Sequence, residues 1–219
     1  MNEPATTLLP LILVTAAVGL IPFLVITTTA FLKISIVLFL IRNALGTQQT
    51  PPTLVMYAIA IVVTLYVSAP LLSEIYARLT APTAEFNSTS GISAVARSVI
   101  DPLKGYLIKF AEPRERDFLM SAAQRIWPPD FYRNGTRDDL MIVIPAFVIS
   151  ELTRAFEIGF LLYLPFIAID LIVSNILMAM GMVMVSPLVI STPFKIFLFV
   201  MVDGWTRLLH GLILSYADK

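Results

Sequence analysis

The most constraining feature of this sequence is a set of long apolar stretches in which charged residues are almost absent. The first 73 residues contain only three charged side chains, Glu3, Lys33 and Arg42, and the 29 residues from Pro4 to Leu32 contain none. A membrane-spanning helix needs about 20 consecutive apolar residues. With 58% hydrophobic and 14% charged residues, the chain has more apolar surface than a soluble domain of 219 residues buries. These stretches predict an all-α integral membrane protein.

The charge balance and the residue types exclude several classes of function. The chain has 15 basic and 15 acidic residues, so it lacks the net positive charge of a typical nucleic-acid-binding protein. It contains no cysteine and a single histidine, His210, which leaves nothing to build a Cys or His metal cluster. No Gly-rich phosphate loop and no nucleophile elbow occurs in the sequence. We therefore predict a protein that is not an enzyme and has no cofactor, no metal and no nucleic-acid partner.

The positions of the charged residues divide the chain into three parts. Residues 74–139 hold 18 of the 30 charged residues, whereas residues 1–73 and 140–219 are largely apolar. We predict an N-terminal hydrophobic helical hairpin (1–73), a polar, water-facing helical domain (74–139) and C-terminal hydrophobic helices with a methionine-rich loop (140–219).

Local patterns place the helices within these parts. In the first part, Pro22 predicts a kink, and the turn-forming residues from Arg42 to Pro52 separate the first apolar stretch from the second, Val55–Leu72. In the middle part, the spacing of apolar residues predicts two amphipathic helices, Val95–Phe110 and Glu112–Ile126.

Ionisable residues interrupt the apolar stretches of the C-terminal part. Only 12 uncharged residues separate Glu157 from Asp170, too few to span a bilayer, and Gly181, Pro187 and Pro193 interrupt the next stretch. A charge at mid-bilayer costs about 2.5–3.5 kcal/mol on insertion scales, so such groups are expected to face protein or a water-filled path. This part is therefore predicted to form broken-helix hairpins that pack against one another or against other subunits.

The same charged residues support two interpretations. Glu151, Arg154 and Glu157 are spaced three residues apart on one helix face, so Arg154 can pair with either neighbour. The charges in the apolar parts either form a proton or ion relay, or form salt bridges between helices or subunits. We favour salt bridges, because lysines and aspartates of opposite sign can neutralise each other. The predicted buried charges are Lys33, Glu151, Arg154, Glu157, Asp170, Lys195 and Asp203.

Four methionines occupy alternate positions around Gly181, namely Met178, Met180, Met182 and Met184. In a looped segment, alternate side chains project to one side, and flexible thioethers can then form a deformable hydrophobic seal around a pore. The alternative is that methionine fills gaps in a hydrophobic core, which composition alone favours.

Four segments of the chain resemble the FliP/SctR family of type III secretion export-gate proteins. They are RNALGTQQTPP (42–52), VIPAFVISELTRAFEIGFLLYLPFIAIDL (143–171), NILMAMGMVMVSP (175–187) and STPFKIFLFVMVDGW (191–205). The resemblance covers nearly the whole chain and is weakest in the middle part. The segments SNILMAMGM and VSP favour the injectisome branch, SctR, whereas ALGTQQTPP is similar to the flagellar form as well.

The resemblance implies a subunit of the export gate in the bacterial inner membrane. Such subunits assemble as a homopentamer, in a helical ring with SctS-like, SctT-like and SctU-like proteins, and the gate extends from the membrane lipid toward the periplasm. The resemblance also makes the polar middle domain periplasmic. The implied function is a protein-conducting pore for unfolded secreted polypeptides.

The resemblance also implies roles for the methionines. In the family, the methionine-rich loop forms a gasket around the closed channel, a role that carries over to Met182 and Met184 first, and then to Met180 and Met178. Many members continue the methionine run where this chain has Val183. Flagellar members tend to have proline at the position of Ser186. From these two differences together we expect a stiffer seal here.

Two other functions remain as alternatives. A small-solute or ion transporter would use Glu157 and Asp170 as coupling carboxylates at a midplane site formed by broken helices. A structural membrane scaffold would differ from the gate only in lacking a pore. Whether the methionines face a shared axis distinguishes the gate from both.

Overall fold

The computed structural model describes residues 3–47, 49–80, 89–129 and 135–217, which form helices joined by turns. In chain order the helices are α1 (Glu3–Thr28), α2 (Phe31–Ala44), α3 (Thr53–Leu79), α4 (Thr89–Phe110), α5 (Pro113–Ile126), α6 (Leu140–Ala179), α7 (Pro187–Met201) and α8 (Gly204–Leu214). No β-strand occurs in these four ranges. The predicted all-α fold is confirmed.

Two helices, α3 and α6, are long and apolar enough to cross a membrane. Two bent pairs reach the same length if each is counted as one span: Val18–Thr28 with α2, at an angle of 68°, and α7 with α8, at 62°. The prediction of a membrane protein is confirmed, with two to four candidate spans. At 1.5 Å per residue, the 40 residues of α6 extend about 60 Å, roughly twice the hydrocarbon thickness of a bilayer.

The first apolar stretch bends at residues 29–30 and not at Pro22, so the predicted kink position is wrong. Helix α1 continues through Pro22 to Thr28. The hydroxyl groups of Thr27, Thr28 and Thr29 then donate hydrogen bonds to the carbonyl oxygens four residues earlier, at 2.8, 2.6 and 2.6 Å. Such bonds bend helices. Three successive threonines therefore account for a break that proline alone does not cause.

The C-terminal part forms a hairpin of α6 and α7 that is interrupted near Gly181 and Pro187, as predicted, whereas Pro193 lies inside α7 and does not interrupt it. Helix α6 is continuous through Glu157, Pro165 and Asp170. A charged side chain does not interrupt the backbone of a helix when it finds a polar partner, and Asp170 finds two. The backbone leaves the helix only near Gly181, which has a φ of 71°.

Helix α2 lies at the centre of the fold, packed against α3 and α6. Half of its 14 residues are buried. Helix α2 packs closely against α6 at Gly159, where an added Cβ atom would lie 2.2 Å from Cδ1 of Leu40. One turn earlier on α6, Ala155 is fully buried. Small residues at this spacing let two helix backbones come close together, as is common in membrane proteins.

The polar middle part packs onto the apolar helices. Helix α5 begins with Pro113 at its first turn and ends at Ile126, as predicted, whereas α4 begins at Thr89, before its predicted start. Leu107 and Phe110 of α4 lie in the same buried core as α2 and α6. Helix α3 extends to Leu79 and so crosses the predicted boundary at residue 73.

Candidate functional site

A buried ion-pair cluster joins α2, α6 and the start of α5; we call it the central cluster. Lys33 and Glu151 are 1% and 0% exposed, and Nζ of Lys33 lies 3.4 Å from Oε2 of Glu151. Arg154 donates from Nη1 to Oε1 of Glu151 at 3.0 Å and from Nη2 to Glu112. Two cations thus face two carboxylates, so the buried charges are paired as burial requires.

Tyr216, near the end of the chain, completes the central cluster. Its hydroxyl group donates a hydrogen bond to Oε2 of Glu151, and Nζ of Lys33 lies 3.5 Å from the centroid of its ring, a cation–π contact. Burial, followed by the negative charge of Glu151, raises the pKa of Tyr216 and of Tyr106. The Tyr216 hydroxyl therefore stays protonated, which is the form that donates to a carboxylate.

A second ion-pair cluster joins the two helices of the α6–α7 hairpin to the end of α2; we call it the hairpin cluster. Nζ of Lys195 lies 2.6 Å from Oδ2 of Asp170 and donates to the carbonyl of Ala44 at 3.1 Å. Ser191 donates to Oδ1 of Asp170 at 2.6 Å. Lys195 is 2% exposed and Asp170 is 37% exposed. Because Ala44 ends α2, a cation at its carbonyl is also favoured by the helix dipole.

Two of the predicted charged residues, Glu157 and Asp203, are exposed and form no ion pair within the four described ranges. The guanidinium of Arg154 binds Glu151 and Glu112 and not Glu157. It also donates to the carbonyl of Phe110 at 2.8 Å, which holds it on the side of Glu112. Asp203 lies at the bend between α7 and α8, with a φ of 52°. The burial of Glu157 and Asp203 between subunits stays a prediction.

The predicted methionine segment begins in the last turn of α6 and continues into the turn that follows; we call residues 180–186 the methionine loop. Gly181 donates to the carbonyl of Met178 at 3.0 Å, and Met182 donates to the carbonyl of Leu177 at 2.9 Å. This pair of bonds is a Schellman motif, which requires a residue with positive φ, and glycine adopts that conformation without strain.

All four methionines are exposed, and Met184 is 101% exposed, as if it were in an extended chain. Met178 lies in the last turn of α6, and Met180, Met182 and Met184 belong to the methionine loop. The interpretation of these methionines as core gap-fillers therefore does not hold within one chain. Val183, at 83% exposed, adds to the same apolar surface.

Comparison with known proteins connects this architecture to a family. The family model described as "FliP family" matches residues 13–212. The chain belongs to the FliP family. Among its relatives, "Probable translocation protein y4yL" of Sinorhizobium fredii is 53% identical over 217 residues, which cover 99% of this chain and 98% of the relative. "Yop proteins translocation protein R" of Yersinia pestis is 45% identical over 207 residues, covering 94% of this chain and 95% of the relative.

The predicted branch of the FliP family is confirmed as well. "Virulence protein YscR" of Salmonella typhimurium is 40% identical over 199 residues, covering 91% of this chain and 92% of the relative. Relatives with these names are SctR proteins of type III secretion. They are named as translocation and virulence proteins, and none of the three names denotes an enzyme.

Two members of the central cluster of this FliP-family chain, Glu112 and Tyr216, were missed from the sequence. Glu112 is one of many charged residues in the middle part, and its partner Arg154 is 42 residues away. Tyr216 is 65 residues from Glu151. No local spacing signals either contact, because both depend on how the helices pack.

Loss of the negative charge of the hairpin cluster is expected to destabilise this FliP-family protein. In Asp170→Asn, Lys195 keeps the carbonyl of Ala44 but loses its carboxylate. Lys195 is buried, but Asp170 is partly exposed, so water can reach the ion pair and replace part of the lost interaction. We therefore expect a loss of about 1 kcal/mol in the free energy of unfolding, measured by SDS titration in mixed micelles. The matched control is Glu74→Gln, which removes the exposed pair of Glu74 with Arg78 and should cost less than about 0.5 kcal/mol. Equal losses in the two variants would contradict the prediction.

Proposed function

We propose that this FliP-family chain is a core subunit of the type III secretion export gate in the bacterial inner membrane. Five copies, together with SctS-like, SctT-like and SctU-like proteins, surround a pore for unfolded secreted polypeptides. The methionine loops of the five copies close this pore. The observation that carries the proposal is the exposed methionine loop at the end of a 40-residue helix.

The exposure of the methionine loop supports this role. Met180, Met182, Val183 and Met184 present apolar side chains that the rest of the chain does not cover. An apolar surface of this kind marks a site of interaction. If equivalent loops meet around a common axis, their unbranched thioethers pack against each other and still yield when a polypeptide passes.

The ion-pair clusters support a rigid building block. The central cluster connects α2, α5 and α6 to the end of the chain, and the hairpin cluster connects α2, α6 and α7. A fixed frame of this kind can hold the methionine loop in position while the loop itself deforms. The length of α6, about twice that of a bilayer, is consistent with a gate that extends beyond the membrane toward the periplasm.

The transporter is less well supported as a function. Its two coupling carboxylates, Glu157 and Asp170, are 13 residues apart on the continuous helix α6, which separates them by about 20 Å. They therefore cannot form one site within a chain. Asp170 is also held by Lys195 and Ser191, while Glu157 is exposed.

If the chain forms the proposed gate, the methionine loops of neighbouring copies lie in contact with one another. Because the chain has no cysteine, Met184→Cys introduces a single thiol, and we expect it to form disulfide-linked pairs of chains on mild oxidation of the full complex. Met141→Cys is the matched control. Met141 is also exposed, but it lies at the opposite end of α6, about 60 Å away, and should not crosslink.

The native mass of the detergent-extracted protein completes this test. Five chains of 24.2 kDa correspond to about 121 kDa of protein, and this mass should increase when the SctS-like and SctT-like proteins are co-expressed. The proposed gate would be contradicted by a monomer or a two-fold dimer whose mass does not change when these partners are co-expressed, together with equal crosslinking of Met184→Cys and Met141→Cys.

A further inference from the structure

A cavity of about 350 Å³ lies where α7 bends into α8, against the middle of α6 and Ile41 of α2. Its volume is within the range of small-molecule sites, about 300–1,000 Å³. Apart from one arginine, its walls are apolar, with Leu161, Pro165 and Phe166 from α6 on one side and Phe199 and Leu208 on the other. It is separate from the methionine loop and from both ion-pair clusters.

The walls of this cavity are held in place by aromatic packing. The ring of Phe199 lies directly against Gly204, where an added Cβ atom would be 2.3 Å from Cε2 of the ring. Phe199 also packs edge-on against Trp205, with the ring centroids 5.3 Å apart, and lies 6.3 Å from the ring of Phe166. The cavity is thus formed by fixed side chains and does not require a partner to open it.

Among the described residues that line the cavity, Arg207 alone is charged. Arg207 is exposed and has no ion pair within the four described ranges. Asp203, one turn before it, is exposed too, and the two side chains form no ion pair in the part of the chain that the structure describes. The cavity therefore combines apolar walls with one exposed guanidinium outside any ion pair of the described residues, and a guanidinium hydrogen-bonds well to phosphate. A ligand that matches both features has an apolar chain and an anionic phosphate group.

We propose that this cavity binds one acyl chain of an anionic phospholipid, with its phosphate on Arg207. A phospholipid is favoured over a protein segment because residues next in sequence to the cavity lining are exposed and apolar, namely Phe160 and Leu164 of α6 and Phe197 and Val200 of α7. The bent pair of α7 and α8 is itself a candidate membrane span. The second acyl chain lies along these exposed apolar residues. This inference requires that α7 and α8 contact a membrane, but it does not depend on the proposed pore.

Native mass spectrometry of the intact oligomer tests the site. The protein is extracted in detergent with equal amounts of phosphatidylglycerol and phosphatidylethanolamine, and the phospholipids retained per chain are counted. We expect wild type to retain phosphatidylglycerol preferentially, and Arg207→Gln to retain about tenfold less of it. Arg207→Lys should retain most of the preference. The matched control is Arg125→Gln, which removes an exposed arginine of α5, far from the cavity in sequence, and should behave as wild type.

A second variant addresses the apolar wall. Leu198→Trp adds volume within the cavity and should lower the retention of both phospholipids, while the oligomer keeps its mass. Equal retention of the two phospholipids by wild type, or equal loss in Arg207→Gln and Arg125→Gln, would overturn the proposal. So would the absence of any retained phospholipid, which would indicate that a neighbouring subunit covers the cavity. None of these outcomes bears on the Met184 crosslinks, so the lipid site and the gate fail independently.

Discussion

Substitution of Glu151 by glutamine is expected to lower the free energy of unfolding by about 3–5 kcal/mol, the largest effect of any substitution considered for this protein. Glutamine keeps the size of the side chain but removes its charge. Lys33, which is 1% exposed, then loses its carboxylate partner in a buried site. Arg154 keeps Glu112, so the loss falls mainly on Lys33. A buried charge that loses its partner costs much more than an exposed one.

A second substitution separates the charge effect from a loss of packing. Lys33→Met removes the buried cation, so in combination with Glu151→Gln it should recover most of the lost stability, giving a coupling energy that a double-mutant cycle measures. Unfolding by SDS in mixed micelles reports all variants on one scale, with Glu74→Gln as the exposed control. No recovery in the double variant, or a loss no greater than that of the control, would contradict the assignment of an ion pair.

Substitution of Gly159 by alanine is expected to cost about 1–3 kcal/mol, whereas the same change at Gly105 should stabilise the protein by about 0.5–1 kcal/mol. The added methyl group at position 159 would lie 2.2 Å from Cδ1 of Leu40 and 3.2 Å from its Cβ. Rotation of the leucine moves Cδ1 but not Cβ, so α2 and α6 must separate. At Gly105, which is exposed on α4, no atom lies within 4 Å of the added group.

The comparison of the two glycines has its own internal control. Leu40→Ala removes Cδ1 and Cγ, two of the three atoms that the new methyl group meets, and leaves only the looser contact with Cβ, so Leu40→Ala with Gly159→Ala should be more stable than the sum of the two single changes indicates. The same SDS titration measures this coupling. If Gly159→Ala and Gly105→Ala change stability in the same direction, the result contradicts a close contact between α2 and α6 at Gly159.

Much of the fold could be predicted because it depends on local properties. The length of an apolar stretch and the spacing of apolar residues belong to neighbouring residues, so the all-α class, α3 and α5 follow from the sequence. The bend after α1 is also caused locally, by three successive threonines. It was wrongly predicted at Pro22, because proline is the more familiar cause of a kink. The end of α6 follows from Gly181, whose positive φ closes the helix.

The pairing of charges could be predicted only in part. Lys33, Glu151, Asp170 and Lys195 were recognised because ionisable groups in apolar stretches require partners. The spacing of Glu151 and Arg154 indicated that these two residues can pair, and they do. The partners on other helices were not recognisable, since Lys33 pairs with Glu151 and not with an aspartate, and Arg154 also binds Glu112 and not Glu157. Each choice depends on two helices that are far apart in the chain.

The composition and the lengths of the apolar stretches alone were sufficient to predict a helical membrane protein. The positions of single residues predicted that the charges in apolar stretches need ionic partners and that methionines cluster around Gly181. Three-dimensional packing decided the rest. It brought Tyr216 to Glu151 across a separation of 65 residues and Glu112 to Arg154 across a separation of 42, let α2 approach α6 at Gly159, and left the methionine loop uncovered. The physical reason is that burial and ion pairing are properties of surfaces that meet, and neither surface is encoded in a single stretch of residues.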